Sequence, residues 1–319
     1  MRRSFLFAVL ALIALSSSAQ LLWKVSGNGL EKPSYVFGTM HVPYPSLIDR
    51  IPGMDQAFEG CDIVVGEVEK EEMTSENTLK DVAQAMVAPP DSTLDKLFTS
   101  EEYAIVEQEF KKSFGPFGES MGVALSQMND VKPNVITRMI LQLRDIQAMT
   151  DMRNLPDLTD LVTDLDIPEV DTNVRLSIID MVIQDRANQM GRPSVGLESV
   201  EEQTDLLWNV PLTKQAMNLL DACKNSEPSK FLFLALLKAY LTQDLAKIQE
   251  FSSNHAIGGL LGRSMDEFYY DRNRNWAEKL DKMMPEHSCL VCVGAGHLPG
   301  DQGLLQLLRN RGYTVEPMQ

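Results

Sequence analysis

The stretches VFGTMH at residues 36–41 and VCVGAGH at residues 291–297 share one pattern, and that pattern decides the fold of this chain. In each stretch an apolar run of strand-forming residues reaches a glycine, and a histidine follows three positions later. His41 and His297 are two of the four histidines among 319 residues, so two such matches are improbable by chance. Because glycine lets the backbone turn sharply, we expect each strand to end there. The imidazole of the histidine that follows would then lie at the carboxyl end of the strand, where open α/β sheets bind ligands.

Two further apolar runs end in a glutamate rather than a histidine. Glu67 closes VVGE at residues 64–67, and Glu198 closes VGLE at residues 195–198. Short continuous apolar runs are typical of parallel strands that are buried on both faces. If these strands are parallel, the two glutamates and the two histidines lie at one edge of the sheet. There they suit a divalent transition metal or an activated water. The alternative is that all four are solvated loop residues.

The fifth candidate residue is an arginine in an otherwise apolar stripe. Between residues 269 and 283 the apolar side chains recur at helical spacing, and Arg272 falls on the same face. A buried guanidinium needs an anionic partner, because leaving it unpaired is costly. We therefore expect Arg272 to pair with Glu67 or Glu198. The alternative is that it reaches the surface beside Asp271.

The order of the elements predicts an α/β fold, with a central, mostly parallel or mixed sheet flanked by helices. The first two predicted strands are joined by SGNG at residues 26–29, which favours a hairpin. Helix-period apolar residues fill roughly residues 70–190, which we interpret as a large helical insertion or cap on the sheet. The predicted strands are residues 21–25, 35–37, 61–65, 194–197, 288–293 and 313–315.

Residues 1–19 have the composition of a cleaved signal peptide. Arg2 and Arg3 precede an apolar core, and small residues precede a cleavage point after Ala19. The apolar run is too short to span a bilayer, and no cysteine follows it to carry a lipoprotein anchor. We therefore expect residues 20–319 to form a secreted or periplasmic α/β domain without an integral membrane segment. An uncleaved anchor is the alternative.

Charge and missing motifs exclude several classes of function. The chain carries 45 acidic against 29 basic residues, a formal net charge of −16, and shows no basic stripe. Such a surface repels nucleic acid, so we expect no nucleic-acid partner. The sequence also lacks a Gly-Lys-Ser/Thr phosphate loop, an HExxH helix and a Gly-x-Ser-x-Gly elbow. Their absence argues against nucleotide hydrolysis, zincin chemistry and serine hydrolysis.

The four cysteines do not make a disulfide scaffold in a chain of this length. Cys289 and Cys292 form a CxxC pair, but both lie in a predicted strand, where side chains three positions apart face opposite sides. We interpret them as buried small hydrophobic residues rather than as a redox or zinc pair. A longer-range bridge, for example to Cys61, stays open.

Five segments, in the same order along nearly the whole of residues 20–319, resemble the TraB/GumN (PrgY, Tiki) family. They are GTMH at 38–41, VVGEVE at 64–69, VGLESVEEQ at 195–203, RNRNWA at 272–277 and VGAGHLPGDQGLLQLLRNRGYTV at 293–315. The resemblance implies an α/β sheet of the erythromycin-esterase and ChaN-like superfamily. The positions that match the family's polar residues are His41, Glu67, Glu198, Arg272 and His297, with Asn273 as a further candidate.

Members of this family suggest an activity. Animal Tiki proteins are membrane-anchored, metal-dependent proteases that remove an amino-terminal segment from Wnt ligands, and plasmid-encoded members limit signalling by peptide pheromones. The resemblance therefore implies a metal-dependent hydrolase that acts on a peptide or protein substrate. No anchor of the Tiki type is recognisable in the sequence, so we do not expect the Wnt-type substrate to transfer.

The predicted chemistry is hydrolysis assisted by a divalent transition metal, namely Mn, Co or Zn. His41, His297 and Glu67 would hold the metal, which lowers the pKa of a bound water toward ~7. Glu198 would be a partner of these metal ligands or a general base. Arg272 would orient a substrate carboxylate or stabilise the oxyanion. Water activation by a histidine without a metal is a variant of the same class.

A non-enzymatic binding protein on the same fold is the alternative from another class. ChaN-like members of the superfamily bind haem, and a pheromone-limiting member could act by sequestering a signalling peptide. A degenerate fold with a structural role is a third alternative, against which the complete set of polar residues argues. The sequence does not indicate the oligomeric state.

Overall fold

The computed structural model of this protein describes residues 20–41, 45–152, 155, 158, 164, 179–254 and 262–318. The predicted signal peptide, residues 1–19, lies outside the described residues, so its cleavage stays a prediction. Within the described part of the chain, no helix is both long enough and apolar enough to cross a membrane.

Six strands of the described chain form one mixed sheet, in the order β4-β3-β5-β2-β1-β6. The strands are β1 (Leu22–Ser26), β2 (Ser34–Thr39), β3 (Ile63–Gly66), β4 (Ser194–Gly196), β5 (Cys289–Gly294) and β6 (Thr314–Pro317). β1 is antiparallel to both β2 and β6, while β2, β5, β3 and β4 are parallel to one another. The predicted α/β fold and the predicted hairpin between β1 and β2 are therefore confirmed.

The two strands that precede the repeated histidine pattern lie side by side. β2 and β5 are parallel, with Gly38 opposite Val293 and Thr39 opposite Gly294. β3 borders β5 on its other side and pairs in turn with β4. Because these four strands are parallel, their carboxyl ends meet along one edge of the sheet, hereafter the carboxyl edge. Every strand end that the sequence singled out opens on this edge.

Six of the described helices, from residue 70 to residue 189, lie between β3 and β4, where the sequence predicts a helical insertion. The helices are α1 (Met54–Gly60), α2 (Lys70–Thr74), α3 (Glu76–Ala85), α4 (Leu94–Leu97), α5 (Ser100–Met121), α6 (Pro133–Asp151), α7 (Ile179–Gln189), α8 (Val200–Trp208), α9 (Leu212–Lys224), α10 (Ser226–Leu241), α11 (Leu245–Asn254), α12 (Asp271–Met283) and α13 (Leu304–Asn310). A capping box between Ser199 and Glu202 starts α8 directly after β4.

The apolar core has one layer on each face of the sheet. Phe37 and Cys292 point into a cluster with α1, α7 and α10. Val36 and Val291 point into the opposite cluster, with α12 and α13. Alternation along each strand thus buries both faces, which is why the strand sequences are continuously apolar. Helices α5, α6 and α9 enclose a third cluster around Phe110.

Gly38 and Gly196, near the ends of their strands, permit close packing. Gly38 lies inside β2 without a positive φ, and a Cβ there would lie 3.0 Å from the Cα of Ala295. Gly196 is similar, because its Cβ would lie 2.8 Å from the carbonyl oxygen of Glu198. Both glycines let neighbouring backbone approach the strand. The expectation that each strand ends at its glycine is wrong for Gly38, since β2 continues to Thr39, whereas β5 ends at Gly294 as expected.

All four cysteines are buried and free. The side chains of Cys289 and Cys292 lie on opposite faces of β5, as their spacing predicts. Since Cys61 is also a free thiol, the long-range bridge that the sequence left open is absent from this structure.

Candidate active site

Four of the predicted site residues meet at the carboxyl edge. Glu67 directly follows β3, Glu198 lies two residues beyond β4, and His297 lies three residues beyond β5. Arg272 comes from the first turn of α12, and only 12% of its side chain is exposed. Hydrogen bonds and ion pairs join Arg272 to the other three. These four residues are hereafter the arginine centre.

Arg272 is fully engaged by groups of the protein. Its Nε and Nη2 donate to the two carboxylate oxygens of Glu198 at 3.0 and 2.7 Å, and Nη2 also donates to Oε2 of Glu67 at 2.7 Å. Nη1 donates to the carbonyl oxygen of Phe268 at 3.0 Å and lies 3.1 Å from Nε2 of His297. A guanidinium has five N–H donors, and these contacts use them all. In this structure Arg272 therefore has no donor left for an oxyanion, and its role in catalysis stays a prediction.

Aromatic rings enclose the imidazole of His297. The ring centroids of Tyr269 and Trp276 lie 4.7 and 4.4 Å from that of His297. The ring of Trp276 also lies 4.6 Å from Cζ of Arg272, within the range of a cation–π contact. The apolar stripe recognised in the sequence thus has a specific purpose. It packs around the imidazole and leaves only 4% of the His297 side chain exposed.

Asn273 fixes which ring nitrogen of His297 carries the proton. The side-chain amide of Asn273 donates to the carbonyl oxygens of His297 and Gln302 at 3.2 and 2.8 Å, which leaves its Oδ1 as an acceptor. That oxygen lies 2.7 Å from Nδ1 of His297, so Nδ1 donates. Nε2 therefore keeps its lone pair and faces Arg272. A histidine that binds a metal usually has its second ring nitrogen held in this way.

Glu67 is held as an ionised carboxylate. Its Oε1 accepts from the backbone N–H of Gly294 at 2.8 Å, and its Oε2 accepts from Nε2 of Gln203 at 3.1 Å. Burial alone would raise the pKa of Glu67. The charges of Arg272 and His297 and the bond from Gly294 outweigh burial, and the pKa falls to about 2. Glu67 therefore carries its negative charge at neutral pH.

His297 is held in the opposite, uncharged state. Burial lowers the pKa of His297 to about 3, because Glu67 only partly offsets the lost solvation and the charge of Arg272 acts in the same direction as burial. Burial raises the pKa of Glu198, and the hydrogen bonds from Arg272 oppose that rise. A neutral imidazole beside an ionised carboxylate provides the protonation states that metal ligands need.

His41 is exposed and lies outside the arginine centre, two residues beyond Thr39, which binds Asp180, a carboxylate that the sequence did not single out. Burial raises the pKa of Asp180, and the charge of a protonated His41 lowers it. His41 acts in the same direction on Glu67. Thr39, at the end of β2, donates from Oγ1 to Oδ1 of Asp180 at 2.8 Å. The other carboxylate oxygen, Oδ2, is buried and has no hydrogen-bond partner among the described residues.

The donor atoms fit a divalent metal in their chemistry, although they do not enclose one. Nε2 of His297 lies 3.9 Å from Oε1 of Glu67, a distance that two metal–ligand bonds of about 2.1 Å can span. The free Oδ2 of Asp180 is a further oxygen without a partner. Across the described ranges, however, no three His, Cys, Asp or Glu side chains are gathered closely enough to hold a metal. A metal at His297 would also have to displace the contact from Arg272.

Two residues of the site were missed by the sequence analysis. Gln203 contacts Glu67 from the first turn of α8. It lies in the segment 195–203 that carries the family resemblance, so the capping box at the start of that helix could have revealed it. Asp180 offers no such signal. It lies in the helical region, where helical spacing does not show which polar residue turns toward the sheet.

A cleft of about 380 Å³ opens beside the arginine centre, between α8 and α12. Arg272 and Glu198 line it, together with Glu202, Lys279 and Lys282. Side chains of both charges therefore surround this space, which suits a polar ligand with both donors and acceptors.

Comparison with known proteins identifies relatives of this chain. Residues 21–317 match the TraB/PrgY/gumN family. Metalloprotease TIKI2 of Danio rerio is 24% identical over 327 residues, which cover 92% of this chain and 60% of the relative. Metalloprotease TIKI1 of Homo sapiens is 24% identical over 331 residues, covering 92% and 61%. The chain spans about three-fifths of the length of these curated relatives. No solved structure matches it.

Arg272→Ala should destabilise the protein by about 3–5 kcal/mol, because it leaves two buried carboxylates without their cation. Arg272→Lys should recover little of this loss, since an ammonium group cannot reproduce the planar fork of five donors. Urea unfolding of the wild type and both variants measures the change in the free energy of unfolding.

Arg274 provides the matched control on the same helix. Its side chain is 46% exposed and pairs with Asp271. Arg274→Ala should therefore cost at most about 1 kcal/mol. If Arg272→Ala proved no more destabilising than Arg274→Ala, Arg272 would not hold a buried centre together.

Acid should destabilise the fold in a window that His297 sets. The ordinary pKa of 6.5 falls to about 3 in the folded protein. Between these values the unfolded chain binds a proton that the folded protein does not, so stability falls as the pH is lowered. Glu67 adds a loss between its ordinary pKa of 4.5 and about 2. Unfolding measured from pH 7 to pH 3 should show this decline.

Asn273→Asp should raise the pKa of His297, because a carboxylate at Nδ1 stabilises the imidazolium form. Asn275→Asp, on the exposed side of the same helix, is the matched control and should leave that pKa unchanged. NMR titration of the imidazole measures both. A His297 pKa that is the same in the wild type and in Asn273→Asp would contradict the contact between Asn273 and Nδ1.

Proposed function

Because this chain belongs to the TraB/PrgY/gumN family, we propose that it is a metal-dependent hydrolase that cleaves peptides at the carboxyl edge of its sheet. One observation carries this proposal. Nε2 of a neutral His297 lies 3.9 Å from an oxygen of the ionised Glu67, and its lone pair would bind the metal in place of the contact with Arg272. These two protonation states are the ones required of metal ligands. The names of the curated relatives, which are metalloproteases, support the same class.

His41, Glu67 and His297 would hold a divalent transition metal, Mn, Co or Zn, which supplies Lewis acidity and lowers the pKa of a bound water toward ~7. The other residues prepare these ligands. Asn273 holds the tautomer of His297 in which Nε2 carries no proton, and Arg272 keeps Glu67 ionised. A set of nitrogen and oxygen donors suits a transition metal better than it suits Mg²⁺ or Ca²⁺.

The pKa values favour metal-assisted chemistry over direct base catalysis by a side chain. A general base works best when its pKa lies near the working pH. The pKa values of His297, about 3, and Glu67, about 2, lie far below neutrality. Neither group therefore accepts a proton from water efficiently at pH 7. Glu198 has both oxygens bonded to Arg272, so we assign these two residues to holding the ligands in place.

We propose a peptide or protein as the substrate, bound in the cleft beside Arg272. The cleft presents Glu202 and Lys279 as well as Glu198, and a peptide backbone offers the mixture of donors and acceptors that such a lining needs. The net charge of −16 opposes binding to nucleic acid. Because the chain matches only part of its relatives, the individual substrates of those proteins are not carried over.

The central test is hydrolysis by the purified protein comprising residues 20–319. A mixture of peptides incubated with the protein should yield fragments detectable by mass spectrometry, and a chelator should stop the reaction. Mn²⁺, Co²⁺ or Zn²⁺ should restore it. His297→Ala and His41→Ala should each reduce the rate by about 100-fold or more, since each removes a metal ligand. The double variant should be little worse than either single one, because the residues act as a unit.

His287→Ala is the matched control for the histidine variants. His287 is exposed and lies before β5, at the opposite end of that strand from His297, so its loss should leave the rate unchanged. Cleavage that persists in the chelator and in His297→Ala would refute the metal-dependent mechanism. Retention of peptides without any cleavage would instead indicate the binding protein considered above.

Export is part of the same proposal. We propose that residues 1–19 are removed and that the mature protein, beginning at Gln20, acts in the periplasm or outside the cell. Intact-mass analysis of the protein from its native host should show a chain that begins at Gln20. A chain that retains Met1 to Ala19 would contradict the assignment of a cleaved signal peptide.

A further inference from the structure

Asp180 is a buried carboxylate that the proposed function does not use. It is the second residue of α7, and its Oδ1 accepts a hydrogen bond from the hydroxyl group of Thr39 at 2.8 Å. Its Oδ2 is buried and has no partner in the part of the chain that the structure describes. A buried polar atom without a partner is costly, so its presence needs a physical reason.

Among the described residues, the groups that act most strongly on Asp180 include no permanent positive charge. The charge of Asp180 is felt by Tyr240 and Cys292, and both are neutral groups that burial keeps protonated. Glu67, which acts on Asp180 in turn, carries a negative charge. His41 is the group whose positive form stabilises the carboxylate, and it is exposed. The contacts place these groups on the same stretch of the carboxyl edge. Thr39, which binds Asp180, lies opposite Gly294, whose N–H donates to Glu67, and His41 follows Thr39 by two residues. Two carboxylates and one exposed imidazole therefore share a region that attracts a cation.

Arg272 cannot supply that cation. All its N–H donors are already used within the arginine centre and by the carbonyl oxygen of Phe268. Arg272 pairs with Oε2 of Glu67, whereas Oε1, among the described residues, accepts a hydrogen bond only from the backbone N–H of Gly294. The uncompensated negative charge thus lies on the side of Glu67 that is not paired with Arg272.

Asp180 is held firmly with respect to this region. One turn further along α7, the amide of Gln184 donates to the carbonyl oxygen of Val68 at 3.0 Å and accepts from the backbone N–H of Lys70 at 2.9 Å. These bonds fasten α7 to the segment that directly follows Glu67. The bond from Thr39 fastens the same helix to the end of β2, two residues before His41.

We propose that Oδ2 of Asp180 is a ligand of the divalent metal at the carboxyl edge, contributed by α7 beside His41 and Glu67. This inference rests on the metal-dependent function proposed above and adds a residue to its site. The cation satisfies the buried oxygen that the protein itself leaves without a partner. His41 is exposed in this structure, and it completes the set when its imidazole turns toward the two carboxylates. A carboxylate oxygen is a suitable donor for Mn²⁺, Co²⁺ and Zn²⁺.

The test measures metal affinity, not activity. Calorimetric titration of the metal-free protein comprising residues 20–319 with MnCl₂ or CoCl₂ should show that Asp180→Asn binds at least tenfold more weakly than the wild type. The Co²⁺ absorption spectrum should change as well, since a ligand is lost. Thr39→Val keeps the carboxylate but removes its anchor, so it should weaken binding by a smaller factor.

Asp185→Asn is the matched control. Asp185 lies on the same helix, its side chain is 47% exposed, and it pairs with Lys70, so its loss should leave metal affinity unchanged. Asp180→Asn removes a buried charge without a cationic partner, so the metal-free variant should unfold at a temperature no lower than that of the wild type. The metal-dependent rise in unfolding temperature should be present in the wild type and smaller in Asp180→Asn.

The outcomes separate this inference from the proposed function. Wild-type affinity and an unchanged Co²⁺ spectrum in Asp180→Asn would overturn the assignment of Asp180. So would a wild-type protein that binds neither metal. Weakened binding in Asp180→Asn, in a protein that cleaves none of the peptides, would support Asp180 as a ligand and would count against the hydrolase alone.

Discussion

The saturated guanidinium of Arg272 is the constraint on which the rest of the site depends. Three strand ends bring two acids and an imidazole to one place, and without a cation the acids would repel each other in surroundings of low dielectric. A guanidinium is a rigid planar fork, so each partner must approach along a fixed direction. The parallel register of β4, β3 and β5 supplies those directions, and α12 supplies the fork.

Stability alone does not explain such a network. Replacing a buried ion pair by apolar residues of similar volume is often neutral or even stabilising. The network also holds Glu67 and His297 far from their ordinary pKa values. Burial and fixed charges thereby keep Glu67 ionised beside a neutral His297. That combination is of little use to a core and of direct use to a metal site. Structure at functional sites commonly costs stability in this way.

The sequence predicted the parts of the site whose signals are local. The repeated glycine–histidine pattern indicated two equivalent strand ends, and an arginine in an apolar stripe indicated a buried ion pair; the structure contains both features. Gly38 was predicted for the wrong reason, because a sequence does not show whether a glycine ends a strand or permits a close approach, whereas β5 does end at Gly294. Asp180 and Gln203 went unnoticed, since their roles arise from how α7 and α8 pack on the sheet.

The position of β5 has a consequence for how the protein is made. β5 comprises residues 289–294, yet it is an inner strand of the sheet, between β3 and β2. During synthesis, β3 and β2, which precede Glu67 and His41, therefore cannot pair with β5 until more than two hundred further residues have been made. Contacts between segments so far apart in sequence form slowly. A nascent chain that stops short of residue 289 has neither β5 nor His297, so no product of that length can carry the assembled centre.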